Sequence, residues 1–81
     1  MFIHIGFGNI VNTDKVISIV SPDAAPVKRM VQRAREEMRV VDASAGRKTK
    51  AVIVMENNML VLSALLPETI SSRMVTDTDQ G

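Results

Sequence analysis

Apolar residues recur along this chain at two spacings, one typical of helices and one typical of strands. Between residues 24 and 38 they recur every three or four positions: Val27, Met30, Val31, Ala34 and Met38. This spacing predicts one amphipathic helix. Asp23 is the predicted N-cap, and Pro26 falls in the first turn, where its missing N–H costs no helical hydrogen bond.

Shorter apolar runs predict the strands. The β-branched residues of segment 16–20 predict a buried strand, and segments 49–56 and 59–65 predict a hairpin that turns at Asn57 and Asn58. The remaining predicted elements are short strands at residues 2–5, 9–11 and 40–41 and a short helix at residues 67–74. We therefore predict an α+β fold, in which a small, mostly antiparallel sheet carries one amphipathic helix and a short C-terminal helix.

The two predicted C-terminal strands are apolar on both faces. Val52 and Val54 alternate with Ile53 and Met55, so neither side of that strand is polar. A sheet that is apolar on both faces needs cover on both faces, and one main helix covers only one of them. We therefore expect a second subunit to cover the other face, which would make the protein a homo-oligomer.

The chain has 81 residues, a length that suits a single domain. We assign residues 1–75 to this domain and residues 76–81 to a polar C-terminal tail. The absence of cysteine excludes a disulfide scaffold and gives no sign of an oxidising compartment. No apolar run approaches the ~18 residues that span a membrane, and the N-terminus lacks the features of a signal peptide. We expect a cytoplasmic protein that makes no membrane contact.

The net charge is only +1, but the charge is unevenly distributed. Residues 28–50 carry eight Lys and Arg against three Asp and Glu, whereas the rest of the chain carries two against six. On a helical wheel, one flank of the predicted helix has cations without acids, at Lys28, Arg35 and Arg39. Arg33 lies on the other flank, where the spacing predicts a pair with Glu37, four residues later. The cationic flank is either a phosphate-binding row or an ordinary solvated helix surface.

The densest basic cluster is the segment GRKTK at residues 46–50. Its cations, Arg47, Lys48 and Lys50, follow a glycine at a predicted loop-to-strand junction, which is a suitable place to contact a nucleic-acid backbone. The alternative interpretation is an edge strand protected from aggregation by its charge. The only two phenylalanines are near the N-terminus and provide no platform for stacking bases, which favours duplex binding over single-strand or RNA recognition.

No residues are arranged for catalysis or for a cofactor. Gly6 and Gly8 lack the third glycine of a dinucleotide-binding loop and the lysine of a P-loop, so we interpret them as structural glycines that bend a strand. His4 is the only histidine and has no partner at metal-ligand spacing. We expect no enzyme activity, no metal site and no cofactor.

Several segments taken together resemble the RemA family of bacterial extracellular-matrix regulators. The matching segments lie within residues 3–74 and are IGFGNI (5–10), ISIVSP (17–22), APVKRM (25–30), DA (42–43), GRKTKAV (46–52), LSA (62–64) and PET (67–69). The resemblance implies a small DNA-binding regulator that activates biofilm-matrix operons. It also implies a ring-like homo-oligomer that winds or condenses DNA around basic surfaces.

The resemblance further implies roles for individual residues. Positions that matter for DNA binding in the family fall on Lys15, Arg47 and Lys48, and a structurally important proline falls on Pro26. The family pattern has arginine where this chain has Lys15 and Lys48. Lysine keeps the charge but lacks the two-pronged donor geometry of arginine, so these two positions favour phosphate contacts over base reading.

The residues and the resemblance together predict a duplex-DNA-binding transcriptional regulator of extracellular-matrix and biofilm genes, acting as a closed-ring homo-oligomer. The predicted DNA-binding residues are Lys15, Arg47, Lys48 and Lys50, with Lys28, Arg35 and Arg39 as secondary candidates. The alternative function is a structural homo-oligomeric assembly whose basic surface binds another polyanion, such as RNA or anionic lipid.

Overall fold

A computed structural model describes residues 1–80, with side chains for residues 1–75. Within that range the element order is β1 (Phe2–Gly6), β2 (Asn9–Asn12), β3 (Val16–Val20), α1 (Ala25–Glu36), β4 (Val40–Asp42), β5 (Ala51–Met55), β6 (Leu60–Ser63) and α2 (Pro67–Gln80). A short 3₁₀ helix, Thr13–Lys15, joins β2 to β3. These elements make an α+β fold, as the sequence predicts.

The strands form two sheets. β1 and β2 pair antiparallel as a small separate sheet. The main sheet has the order β3-β5-β6-β4, in which β5 is antiparallel to both of its neighbours and β4 runs parallel to β6. The predicted turn at Asn57 and Asn58 joins β5 to β6, with Asn58 at a left-handed φ of 66°. The main sheet is therefore mostly antiparallel, as predicted.

Helix α1 covers one face of the main sheet with its apolar stripe. Ala34 is completely buried against Val52, Leu60 and Leu62. The longer side chains of the stripe, such as Val31, are half-buried and pack around this centre. The small alanine lets the helix approach the sheet closely, because its side chain ends at Cβ.

The other face of the main sheet is covered by the same chain, so the expectation that a second subunit covers it is wrong. Ile53 and Val61 pack in one cluster with Ile3 and Ile5 of the small sheet and with Ile70 of α2. None of these five side chains is more than 8% exposed. Because side chains alternate along a strand, β1 presents its isoleucines to the main sheet and leaves its other residues in solvent.

A buried hydroxyl group attaches the small sheet to the main sheet. Ser63, which is fully buried in β6, donates from Oγ to the carbonyl of Ile5 at 2.8 Å. The same oxygen accepts the backbone N–H of Leu65 at 3.0 Å. A buried polar group is stable only when it is hydrogen-bonded, and Ser63 satisfies two backbone groups at once.

Strand β3 is an edge strand rather than the buried strand predicted. It pairs only with β5, and its register is interrupted by a bulge between Val16 and Ser18. Ile17 lies in this bulge and is 62% exposed. β-branched residues are typical of strands, but that preference does not distinguish a central strand from an edge.

Helix α1 begins and ends differently from the prediction. Its N-cap is Ala24, whose methyl side chain makes no hydrogen bond, so the predicted N-cap Asp23 lies one residue too early. The N–H of Asp23 donates to Ser21 Oγ at 3.3 Å. Pro26 lies in the first turn, as predicted. At the other end, Met38 has a left-handed φ of 58°, and the N–H of Arg39 reaches back to the carbonyl of Ala34. This is a Schellman motif with methionine at the position that usually holds glycine.

Replacing Met38 with glycine is expected to stabilise the protein by about 0.5–1 kcal/mol. Glycine adopts the left-handed conformation without the steric cost that a side chain carries there, and Met38 loses little contact because it is 88% exposed. Urea denaturation of M38G and wild type measures the difference, with Arg29→Gly, at an exposed site in the middle of α1, as the control that should destabilise. A lower stability for M38G would contradict this interpretation.

Helix α2 is longer than predicted, since it extends to Gln80 rather than ending near Met74. No glycine or proline follows Pro67 before Gly81, so the sequence contains no strong stop signal. The predicted polar tail of residues 76–81 lies outside the residues whose side chains are described.

Candidate nucleic-acid interface

The basic segment 46–50 lies in a loop that a carboxylate helps to shape. Asp42 ends β4, and its Oδ1 accepts hydrogen bonds from the hydroxyl of Ser44 and from the Ser44 N–H, the latter at 3.0 Å. These two bonds hold the pKa of Asp42 below its ordinary value, and the bond from the hydroxyl has the larger effect. Asp42 therefore stays ionised throughout the neutral range, and the start of the loop does not titrate there.

A tight turn then brings Arg47 to the tip of the loop. Ala45 and Gly46 have left-handed φ angles of 54° and 77°, and the N–H of Arg47 bonds to the carbonyl of Ser44 at 3.0 Å. Two successive left-handed residues are the mark of a type I′ turn. At the far side of the loop, the N–H of Lys50 bonds to the carbonyl of Ser63 at 2.8 Å. The backbone that carries the cations is thus held at one end by Ser44, just after β4, and at the other by Ser63 of β6.

The turn between β1 and β2 lies beside this loop. The Arg47 guanidinium stands 5.5 Å from the centre of the Phe7 ring, within the range of a cation–π contact. Gly6, Phe7 and Gly8 all have positive φ, at 105°, 54° and 80°. A Cβ added at Gly6 would meet Leu65 at 3.6 Å, which is an ordinary van der Waals contact, so it is the left-handed backbone that favours glycine at positions 6 and 8.

Sequence reasoning did not find the Phe7 contact. It noted only that the two phenylalanines are near the N-terminus and provide no stacking platform, and Phe7 and Arg47 are forty residues apart in the chain. The hydrogen bond from Ser63 to Ile5 and the packing of β1 on the main sheet bring them together. Only this long-range packing reveals the pair, and no local pattern signals it.

Two residues of the predicted cationic helix flank lie next to the same loop. Lys28 and Arg35 line a pocket of about 310 Å³ together with Thr49 of the loop. Lys48 and Lys50 line an adjacent hollow that also includes Asp23 and Glu68. We define the loop-end basic cluster as Lys28, Arg35, Arg47, Lys48 and Lys50. All five side chains are exposed, and none is in an ion pair within the described part of the chain.

The structure does not bring Lys15 into this cluster. Lys15 precedes Val16, which pairs with Met55 at the end of β5 opposite to Lys50. The two lysines are therefore separated by the length of β5, about 17 Å for five residues. Lys15 Nζ is also 3.4 Å from Glu56 Oε2, in an exposed ion pair.

Arg39 lies at the same far end of the main sheet, and its predicted position on the flank of α1 is wrong. The helix ends at Glu36, and the left-handed Met38 turns the chain away before Arg39. The Arg39 guanidinium instead binds the carboxylate of Glu37 and the carbonyl of Asn58. Its charge is therefore already paired. The predicted pair of Arg33 with Glu37 is therefore wrong, because the turn at Met38 brings Arg39 to that carboxylate.

Among the residues whose side chains are described, no group of three or more His, Asp or Glu could hold a metal ion. Neither helix, over the same residues, combines the length and the apolar character that crossing a membrane would require.

Comparison with known proteins places the chain in a family. The family model described as extracellular matrix regulatory protein A-like matches residues 2–74. A relative from Lachnoclostridium phytofermentans, whose name goes no further than a regulatory role, is 62% identical over 72 residues, covering 89% of this chain and 79% of the relative. The extracellular matrix regulatory protein A of Bacillus subtilis is 48% identical over 84 residues, covering 98% of this chain and 94% of that protein. This chain belongs to the RemA-like family, which the sequence segments quoted above already resemble.

Proposed function

We propose that this protein is a duplex-DNA-binding transcriptional regulator of extracellular-matrix genes. The observation that carries the proposal is the loop-end basic cluster, which gathers five unpaired cations from α1 and the 43–50 loop on a protein with a net charge of only +1. Such a patch on a nearly neutral protein is the electrostatic footprint of polyanion binding. The name of the Bacillus subtilis relative supports matrix genes as the target.

In this proposal the cluster neutralises phosphates on one side of the duplex, and Arg47, at the tip of the loop, makes the central contact. Arg47 offers a planar fork of donors that matches phosphate or a guanine edge, whereas Lys48 and Lys50 act as point charges. Lys15 is a separate contact at the other end of the main sheet, assigned by the family resemblance. A phosphate bound there must displace Glu56 from Lys15, at the small cost typical of an exposed ion pair.

We infer further that several copies act together as a ring. The main sheet has two open edges, β3 and β4, and each exposes a large apolar residue: Ile17 is 62% exposed and Val41 is 47% exposed. The outer face of the small sheet adds Phe2 and Ile10, both more than half exposed. Because the two edges differ, contact between them is head-to-tail, and head-to-tail contacts close into rings when the rotation allows.

Replacing Ile17 with lysine is expected to dissociate the assembly and leave the protomer folded. A charge at an exposed edge position does not disturb the core, but it opposes burial against a neighbour. Native mass spectrometry should find several protomers per particle for wild type and monomers for I17K. Val75→Lys, which places the same charge at an exposed site on α2, is the control. A wild-type monomer at micromolar concentration would contradict the ring.

The direct test of DNA binding is fluorescence anisotropy of labelled duplexes of increasing length across a range of salt concentrations. Binding should weaken steeply with salt, because each phosphate contact releases counterions, and should strengthen with length, because a ring repeats the cluster. Binding to single-stranded RNA and to anionic vesicles is measured for comparison. If either binds while duplexes do not, the protein is an assembly that binds another polyanion.

A further inference from the structure

We propose that Phe7 is a positioning residue that holds Arg47 in the orientation in which it contacts DNA. The inference rests on the proposed function, since it assigns a second residue to the same contact. Its basis is the juxtaposition of two tight turns, one carrying the ring and the other the guanidinium, with 5.5 Å between the guanidinium and the ring centre.

The folding of the protein does not explain a phenylalanine at this position. Phe7 has a φ of 54°, a conformation that is unfavourable for a bulky side chain, and the residue is 53% exposed rather than buried. Asparagine or glycine is the usual choice for a turn residue of this conformation. Strained residues kept in this way are concentrated at functional sites, and the ring contact recorded for Phe7 within the described residues is with Arg47.

The backbone of the turn that carries the ring is held by hydrogen bonds. The side-chain amide of Asn9 donates to the carbonyls of Gly6 and Phe7, at 3.1 Å and 3.3 Å, and so braces the turn. The carbonyl of Ile5, just before the turn, is held by the buried Ser63 hydroxyl. A ring carried by a turn that is held in this way can restrict the guanidinium of a long side chain beside it.

A restricted Arg47 binds DNA more tightly than a mobile one. An exposed arginine loses conformational freedom when it engages a phosphate or a base edge. The ring removes part of that loss in advance, because its negative face attracts the guanidinium and limits the rotamers. The expected gain is a factor of about two to five in affinity for each Arg47 that is engaged.

The test compares Phe7→Leu with Phe7→Tyr. Leucine keeps an apolar side chain without the π face, and tyrosine keeps the ring. In wild type and F7Y, the NMR signal of the Arg47 side-chain N–H should show the upfield shift that a neighbouring ring causes, and F7L should lose it. Phe2→Leu, at an exposed site on the outer face of β1, is the control that should leave the Arg47 signal unchanged.

The DNA measurements then separate positioning from direct contact. F7L should weaken duplex binding two- to fivefold per engaged site with an unchanged salt slope, because no charge is lost, and F7Y should bind like wild type. In an Arg47→Ala background, F7L should have no further effect. An equal loss in both backgrounds would show that the ring touches DNA itself and would overturn the proposal.

The remaining outcomes distinguish this inference from the function on which it rests. If wild type binds duplex DNA and Arg47→Ala weakens it while F7L does not, the positioning role alone is wrong. If wild type binds no duplex, the proposed function fails and the positioning role fails with it, whatever the NMR signal shows. Thermal melting of F7L and F7Y confirms that each compared variant is folded.

Discussion

Replacing Arg47 and Lys48 together with alanine should abolish duplex binding near physiological salt while the protein remains folded and assembled. Both side chains are exposed, and neither is in an ion pair among the described residues. Each phosphate contact is worth about 5.5-fold at 0.15 M salt through counterion release. Losing two contacts therefore costs about 30-fold for one protomer, and more where several protomers of a ring bind the same duplex.

Anisotropy across a salt series measures this effect, and the slope of log affinity against log salt should fall by about 1.8 per engaged protomer. Arg33→Ala is the control, since Arg33 lies on α1 outside the loop-end basic cluster, and Lys28→Ala should give an intermediate loss. Native mass spectrometry of the double variant checks the assembly. An unchanged affinity and slope for R47A/K48A would show that the loop does not bind DNA.

Replacing Ile70 with alanine should be among the most destabilising single changes, at about 2–5 kcal/mol. Ile70 is 1% exposed and is the residue of α2 at the centre of the cluster that covers the second face of the main sheet. A domain of this length has a total stability of about 4–12 kcal/mol. The substitution therefore removes a large part of it, because alanine leaves a cavity between α2 and the sheet.

Chemical denaturation at two protein concentrations measures this loss. Val75→Ala, on the same helix but 57% exposed, is the matched control and should change stability by less than about 0.5 kcal/mol. If a partner subunit rather than α2 protected this face, I70A would cost little. A small effect of I70A would therefore restore the expectation that another copy covers the sheet.

Most of the secondary structure could be predicted because it depends on neighbours in the sequence. The period of the apolar stripe identified α1, and the asparagine pair identified the turn between β5 and β6. The ends of α1 were harder, because a left-handed methionine at position 38 replaces the glycine that signals a helix end. A methionine carries no such signal in the sequence.

The covering of the second sheet face could not be predicted, because it depends on where β1 and β2 pack. Short strands at the N-terminus are compatible with several positions, and their isoleucines do not indicate which surface they cover. The same packing also determines which residues lie near Arg47. The loop around Arg47 was identified from local charge, whereas its neighbour Phe7 and the remoteness of Lys15 depend on tertiary structure.

The dependence of the small sheet on the rest of the fold has a consequence for protein synthesis. β1 and β2 leave the ribosome before the elements they pack against, because their buried residues contact β5, β6 and Ile70, and a two-stranded hairpin is not stable alone. The 58 residues that follow Asn12, up to Ile70, take about 3–12 s to translate. The small sheet is therefore made well before it can be buried, and any pause in translation lengthens the time for which chaperones must shield it.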